Sequence, residues 1–355
     1  MDLPTLWFLL IALLWTGYLI LEGFDFGVGM LLFALGRRPE ERDALVRTFG
    51  PVWDGNEVWL LVAGGAMFAA FPNWYASMFS AEYLPLLILL VALIVRVLAI
   101  EYRRKHDGPN WTTRWDRVLF VASVTAPLMA AVGLANVVHG IPMDAKHDFT
   151  GNLLDLLNPY SLLGGVAVLS LFVLHGATFL GLRTEGTLRV RARSLAIRVW
   201  PVATALVAAF GIWTLLGASS VARGISVVGT IAVVLAVVGL VATGLALRAD
   251  REPIAFAGTA LTIAAAVVLL FAQLWPNVMP STDDPAGTLS IAETASHHYT
   301  LKVMTWVAIL VTPVVLVYQA WSYWVFRHRI SAEGFPEGGA GAALQSLTHR
   351  PAGDA

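Results

Sequence analysis

Residues 6–35 read LWFLLIALLWTGYLILEGFDFGVGMLLFAL, a run with no basic residue and only two acids, Glu22 and Asp25. About 20 apolar residues in an α-helix cross the roughly 30 Å of hydrocarbon in a bilayer, so this stretch is a membrane span with two carboxyl groups inside it. Eight more stretches meet the same criterion: Pro51 to Phe71, Tyr83 to Ile100, Val118 to Val138, Leu162 to Leu182, Val199 to Gly217, Ile225 to Leu247, Ile254 to Trp275 and Leu301 to Phe326. With an acid at Asp2, no basic n-region and an apolar run longer than a signal peptide's, the first stretch is expected to be a first span and not a cleaved signal.

Composition agrees. The chain is 57% hydrophobic and 13% charged, against roughly 25% charged in soluble proteins, and its mean hydropathy is +0.71. A net charge of −1 over 355 residues offers no basic surface for nucleic acid. With no cysteine, disulfides, thiolate metal ligands and covalent c-type haem are excluded.

Basic residues of short loops stay on the cytoplasmic side, which tests the partition into spans. Alternate loops hold Arg37, Arg38, Arg42 and Arg47; Arg103, Arg104, Lys105, Arg114 and Arg117; Arg183, Arg189, Arg191, Arg193 and Arg198; Arg248 and Arg251; and Arg327, Arg329 and Arg350. The opposite loops hold only Lys146 and Arg223, with Lys302 opening the last span. The expected fold is therefore an all-α integral membrane protein of about nine transmembrane helices, N-terminus outside and C-terminus cytoplasmic.

Leu21-Glu22-Gly23-Phe24-Asp25-Phe26 in the first span is echoed by Leu174-His175-Gly176-Ala177-Thr178-Phe179 in the fifth. Both copies run inward, which suggests two pseudo-symmetric four-helix bundles, over 1–140 and 141–275, of the parallel-repeat kind seen in some transporters. An outer loop (276–300), a peripheral ninth helix (301–329) and a Gly/Ala/Pro-rich tail (330–355) expected to be disordered complete the organisation.

Ionisable groups inside spans are costly and mark function by default. Glu22 and Asp25 share one helical face, Asp54 and Glu57 repeat the spacing at the start of the second span, and Arg96 and Glu101 close the third. Burial favours the neutral form of a carboxyl and a nearby arginine favours the ionised one, so several acids around one arginine hold protons with graded affinity. That suits a proton relay from the cytoplasm; the plainer reading is that Arg96 locks helices together by pairing with one or two acids. Gly23 and Gly27, and Gly64 and Gly65, are expected to allow close helix approach.

Of eight histidines only His175 lies deep in a span, and it is read as hydrogen-bonded between helices. His297 and His298 share the outer loop with Asp283, Asp284 and Glu293, read as solvated in preference to a metal site. No histidine pair on a span has haem-bridging spacing, so no cofactor or metal is expected to be ligated by this chain.

Gly23-Phe24-Asp25-Phe26-Gly27-Val28-Gly29, Pro51-Val52-Trp53-Asp54-Gly55-Asn56-Glu57-Val58-Trp59-Leu60, Asn158-Pro159, Val278-Met279-Pro280-Ser281 and Val303-Met304-Thr305-Trp306-Val307-Ala308 resemble subunit II of bd-type quinol oxidases. The resemblance implies a subunit of a terminal oxidase of the bacterial plasma (inner) membrane that oxidises quinol and reduces dioxygen to water. It implies an obligate heterodimer with subunit I, which holds two b-type haems, one d-type haem and the quinol-oxidising loop, and allows a small accessory subunit. The family's proton-carrying carboxylates carry over onto Asp25 and Asp54, with Arg96 at a basic position beside them. Glu101 stands where an aspartate is often found, Glu57 where some relatives have an amide, and the resemblance adds least for Glu22. A proton-coupled secondary transporter is the competing reading; it calls for acids near the midplane in both repeats, whereas the second copy has His175 and Thr178 where the first has Glu22 and Asp25.

Overall fold

The computed structural model describes residues 2–106, 108–219, 221 and 223–331. Its helices are α1 (Leu3–Leu35), α2 (Pro39–Phe49), α3 (Trp53–Ala70), α4 (Pro72–Ala81), α5 (Tyr83–Tyr102), α6 (Pro109–His139), α7 (Pro159–Arg183), α8 (Gly186–Gly217), α9 (Val227–Arg248), α10 (Glu252–Leu274), the one-turn α11 (Ile291–Thr294) and α12 (His298–Val325). Among the described residues eight helices are long and apolar enough to cross a membrane, or nine if the bent pair α3–α4 counts as one span. The fold is the all-helical membrane architecture expected. The proposed disorder of the tail concerns residues 332–355, which lie outside the described residues.

Helix starts follow from local chemistry. Asp2 accepts from the Thr5 amide at 3.2 Å, Asn158 from Ser161 at 2.9 Å and Ser226 from Gly229 at 3.1 Å, each satisfying an amide that the first turn leaves free. Pro4 and Pro159 occupy first-turn positions where no N–H is needed.

Three departures from the expected boundaries have physical reasons. The second span breaks at Phe71, where the chain turns by 119° into α4, because Pro72 removes a donor and disfavours helical geometry in the residue before it; Phe71 sits at φ −139°, ψ 68°. The Ser296 amide and hydroxyl cap the exposed carbonyls of Ala70 and Ala69, at 2.8 and 2.7 Å. Second, α2 lies between the first two spans. Its polar face excludes it from any 20-residue apolar window, yet Ala44, Leu45, Val46 and Phe49 are buried against the bundle. Third, α6 and α8 begin about nine and thirteen residues earlier than the apolar stretches, since their early turns are polar, with Arg114 and Arg117 in α6 and Arg189, Arg191 and Arg193 in α8, and so fall outside any apolar window.

α1 is the central helix. It meets α7 where Gly27 faces Gly176, a contact in which a Cβ on either glycine would overlap the other backbone. Phe24 stacks on Phe179 at 4.0 Å and Phe26 on Phe172 at 6.3 Å, so the two copies of the repeated motif lie side by side. The apolar core continues across both halves of the chain and falls into two clusters. One cluster gathers Trp7, Trp15, Trp74 and Phe271 toward the N-terminal end of α1, and another gathers Phe24, Phe49, Leu180 and Leu247 toward its C-terminal end.

Residues 276–300 are more structured than a solvated loop. β1 (Asn277–Met279) pairs antiparallel with β2 (Leu289–Ser290), and the Ser281 hydroxyl donates to Met143 O at 2.7 Å, fastening this segment to the 141–150 loop. His147 Nδ1 bonds Gly287 O at 3.0 Å. His297 accepts from the Tyr299 amide as a helix cap, and no group of three metal-binding side chains occurs among the described residues.

Candidate functional site

The two apolar clusters meet at an ion pair. Glu22 on α1 and Arg96 on α5 are both fully excluded from solvent, and an Arg96 guanidinium N–H donates to Glu22 Oε1. Arg96 is six residues, about 9 Å of helix, from the end of α5. Its guanidinium also lies over the Phe26 ring at 4.5 Å and the Phe49 ring at 6.0 Å, so aromatic faces supply part of the negative potential that water would.

Asp25, one turn on from Glu22, is equally buried. Its Oδ2 accepts from Asn56 Nδ2 at 2.8 Å. Glu57 is half-buried next to Asn56 and within electrostatic reach of Arg96 and Asp54. Tyr18 adds a buried hydroxyl on the same face of α1. The Glu22 and Asp25 carboxyls lie close enough to share a hydrogen bond when one of them is protonated, and around them four more buried polar atoms have no protein hydrogen-bond partner: Tyr18 OH, Glu57 Oε2, and Arg96 Nε and Nη2. Buried polar groups are almost always satisfied by protein or ordered water, and an unsatisfied one costs about 1–3 kcal/mol, so these four atoms are where water would be accommodated.

Of the six residues expected at the site, Glu22, Asp25, Arg96 and Glu57 come together. Asp54, in the first turn of α3, and Glu101, near the end of α5, are exposed and make no ion pair among the described residues. Arg96 pairs with Glu22, the member for which the resemblance adds least. Reading the sequence missed Tyr18, which stands four and seven residues before Glu22 and Asp25 on one helical face, and Asn56, a lone amide between two acids.

The end of the bundle that carries the arginines is tied by a second set of ion pairs. Asp116 accepts from Arg42 at 2.7 Å and from Arg103 at 2.7 and 3.1 Å; Asp43 accepts from Arg103, Arg104 and Arg47. Arg191 of α8 holds Glu41 of α2 bidentately at 2.9 and 3.0 Å and reaches Leu35 O at 3.0 Å. These hydrogen bonds, with those from the Arg37 and Arg38 amides, pull the Glu41 carboxyl down to about 2.

His175 has both ring nitrogens engaged, Nδ1 with the Thr259 hydroxyl at 2.7 Å and Nε2 with Ile20 O at 3.0 Å, and it stacks on Phe256 at 4.5 Å. An axial haem ligand needs a free ring nitrogen, so the residues around His175 do not fit a haem.

Fold and site together define a polytopic membrane protein that buries an arginine–carboxylate centre near one face and offers no deep, uncommitted histidine among the described residues. The family described as cytochrome bd terminal oxidase subunit II matches residues 3–326. The chain is 41% identical over 333 residues to cytochrome bd ubiquinol oxidase subunit 2 of Bacillus subtilis (strain 168), covering 93% of this chain and 97% of that one. It is 34% identical over 360 residues to cytochrome bd-I ubiquinol oxidase subunit 2 of Escherichia coli (strain K12), covering 92% and 95%. The bd oxidase structure from Geobacillus thermodenitrificans matches with a TM-score of 0.71 at 16% identity, over 92% of this chain and 97% of that chain; at that identity it speaks for the fold. The chain belongs to the cytochrome bd terminal oxidase subunit II family. It is accordingly a subunit of a quinol oxidoreductase complex and a multi-pass protein of the bacterial inner membrane.

Proposed function

We propose that this chain scaffolds a haem-bearing subunit I and carries protons from the cytoplasm toward it, in a complex that oxidises quinol and reduces dioxygen to water. In this reading subunit I holds the two b-type haems and the d-type haem, and this chain ligates none. The N-terminus is outside and the arginine-rich end cytoplasmic, so Asp54 and Glu57 stand at the entry and Glu22, Asp25 and Arg96 farther in.

The observation that carries the proposal is the buried pair of carboxyls, Glu22 and Asp25, set against the single guanidinium of Arg96. Two buried carboxylates against one guanidinium leave one uncompensated negative charge, and an uncompensated buried charge is expensive. A proton taken up between Glu22 and Asp25, whose carboxyls lie within hydrogen-bonding reach of each other, cancels it, and the four unpartnered polar atoms beside them support the water through which such a proton moves. Asp54, exposed at the head of α3, is placed to collect it. Consumption of cytoplasmic protons by dioxygen reduction, with quinol protons released on the other side, separates charge without a pump.

The scaffold role is supported by α3 and α5. Gly55, Gly64 and Gly65 have open space where a side chain would stand, with Leu61 and Val62 exposed on the same helix and Leu90 and Val91 exposed on α5. Small residues on an outward apolar face allow another helix to approach closely. Asp54→Asn in the purified complex tests the relay: with unchanged haem spectra, slowed turnover supports it and full activity with normal proton uptake contradicts it, whereas a parallel loss of haem assigns Asp54 to the scaffold.

A further inference from the structure

α12 buries only Leu301, and its attachments to the rest of the chain are largely polar. At one end Trp7 Nε1 donates to Leu301 O at 3.2 Å and to the Thr305 hydroxyl at 3.1 Å. Beyond the other, Arg183 donates to His328 O at 2.7 Å and accepts at its carbonyl from the Ile330 amide at 2.8 Å. Between them runs a hydrogen-bonded chain that ends on Asp25.

Asn56 is fully buried and its amide is used to capacity. Oδ1 accepts from the Tyr323 hydroxyl at 2.7 Å and from Gln319 Nε2 at 3.3 Å. Nδ2 donates to Asp25 Oδ2 at 2.8 Å and to Leu21 O at 3.4 Å. A carboxamide has two acceptor sites and two N–H groups, so none is left over. The direction of the chain is set at its far end. Trp59 Nε1 donates to Gln319 Oε1 at 2.8 Å, and an indole nitrogen can only donate. Gln319 must then present its NH2 to Asn56 Oδ1, and Tyr323, one turn farther along α12, presents a second donor to the same oxygen. A reversed Asn56 amide would set an N–H against the Gln319 NH2 and its own carbonyl against a carboxyl oxygen and the Leu21 carbonyl; the Tyr323 hydroxyl, able to donate or accept, follows the direction that Gln319 sets.

We infer that α12 orients Asp25: Gln319 and Tyr323 are positioning residues that act through Asn56 to keep Oδ2 engaged as an acceptor. Oδ1, which receives no N–H or O–H from the chain and belongs to the carboxyl within hydrogen-bonding reach of Glu22, is then the oxygen left for proton exchange, a consequence that rests on the relay reading above. The orientation itself does not depend on that reading. It also accounts for a polar pair at i, i+4 on an otherwise exposed apolar helix.

The test uses the assembled oxidase complex and redox-triggered infrared difference spectra, with the Asp25 carboxyl or carboxylate bands identified by their loss in Asp25→Asn. Tyr323→Phe keeps the ring and removes one donor; Gln319→Leu removes the other. Each is expected to move the Asp25 bands, both together to move them farther, and turnover to fall about fivefold for each hydrogen bond lost. Trp7→Phe loosens the opposite end of α12 without touching Asn56 and is expected to leave the bands in place. Unmoved bands in the double variant, or an equal movement from Trp7→Phe, would overturn the inference. Moved bands with unchanged turnover and proton uptake would uphold the orientation of Asp25 and sink the relay reading instead.

Discussion

Arg96 donates to Glu22 between α5 and α1, with both side chains excluded from solvent. Removing one partner of such a pair leaves a lone buried charge and costs about 3–5 kcal/mol, whereas replacing both together is far milder. Arg96→Gln is therefore expected to reduce recovery of assembled oxidase sharply, and Glu22→Gln combined with Arg96→Gln to restore most of it. The check is haem content per purified complex. Equal recovery of the single and double variants would contradict a pairwise role for Glu22.

Gly27 and Gly176 let α1 and α7 touch backbone to backbone. A valine at 27 has nowhere to go without separating the helices, and overpacking of this kind costs about 1–3 kcal/mol or more. Gly27→Val is expected to abolish assembly in membranes. Gly64→Ala, where the added carbon meets nothing within this chain, is expected to leave the chain folded and to weaken only its association with the partner subunit, read by co-purification.

Glu41 provides a pH dependence. Its carboxyl is held at about 2 by the Arg191 hydrogen bonds, against about 4.3 when unfolded. A group depressed on folding adds stability in full above the unfolded value, and that stability drains away as pH falls toward the folded one. Glu41→Gln is thus expected to lower the thermal midpoint of the complex at pH 7 by about 2–6 °C. The gap from the parent should narrow between pH 4.3 and 2. A gap that widens on acidification would contradict the α2–α8 clamp.

Most of the spans were legible because a bilayer imposes one length and one composition on every crossing helix. The elements that escaped are those the bilayer does not impose. α2 carries its apolar residues on one face only, and α4 follows a break made by Pro72. The acids were legible too, but their partners were not. Glu22, Asp25, Asp54 and Glu57 all had a claim on Arg96, and helical spacing alone does not fix the rotation and height of α5 against α1. The structure resolves it in favour of Glu22 and gives Asp25 to Asn56. Gln319 and Tyr323 went unread for a related reason: on a span judged only by its apolarity, a polar pair four residues apart has no partner until α3 is seen beside it.

On the proposed function, Asp25 and its neighbours carry the protons that dioxygen reduction consumes. This role is tested most directly by Asp25→Asn in the complete oxidase, reconstituted in liposomes with unchanged haem spectra, measuring proton uptake from the side of the arginine-rich face during quinol-driven turnover. The account predicts that uptake and turnover fall together by at least about tenfold, the equivalent of roughly 1.4 kcal/mol on the barrier. Undiminished uptake and turnover would contradict it.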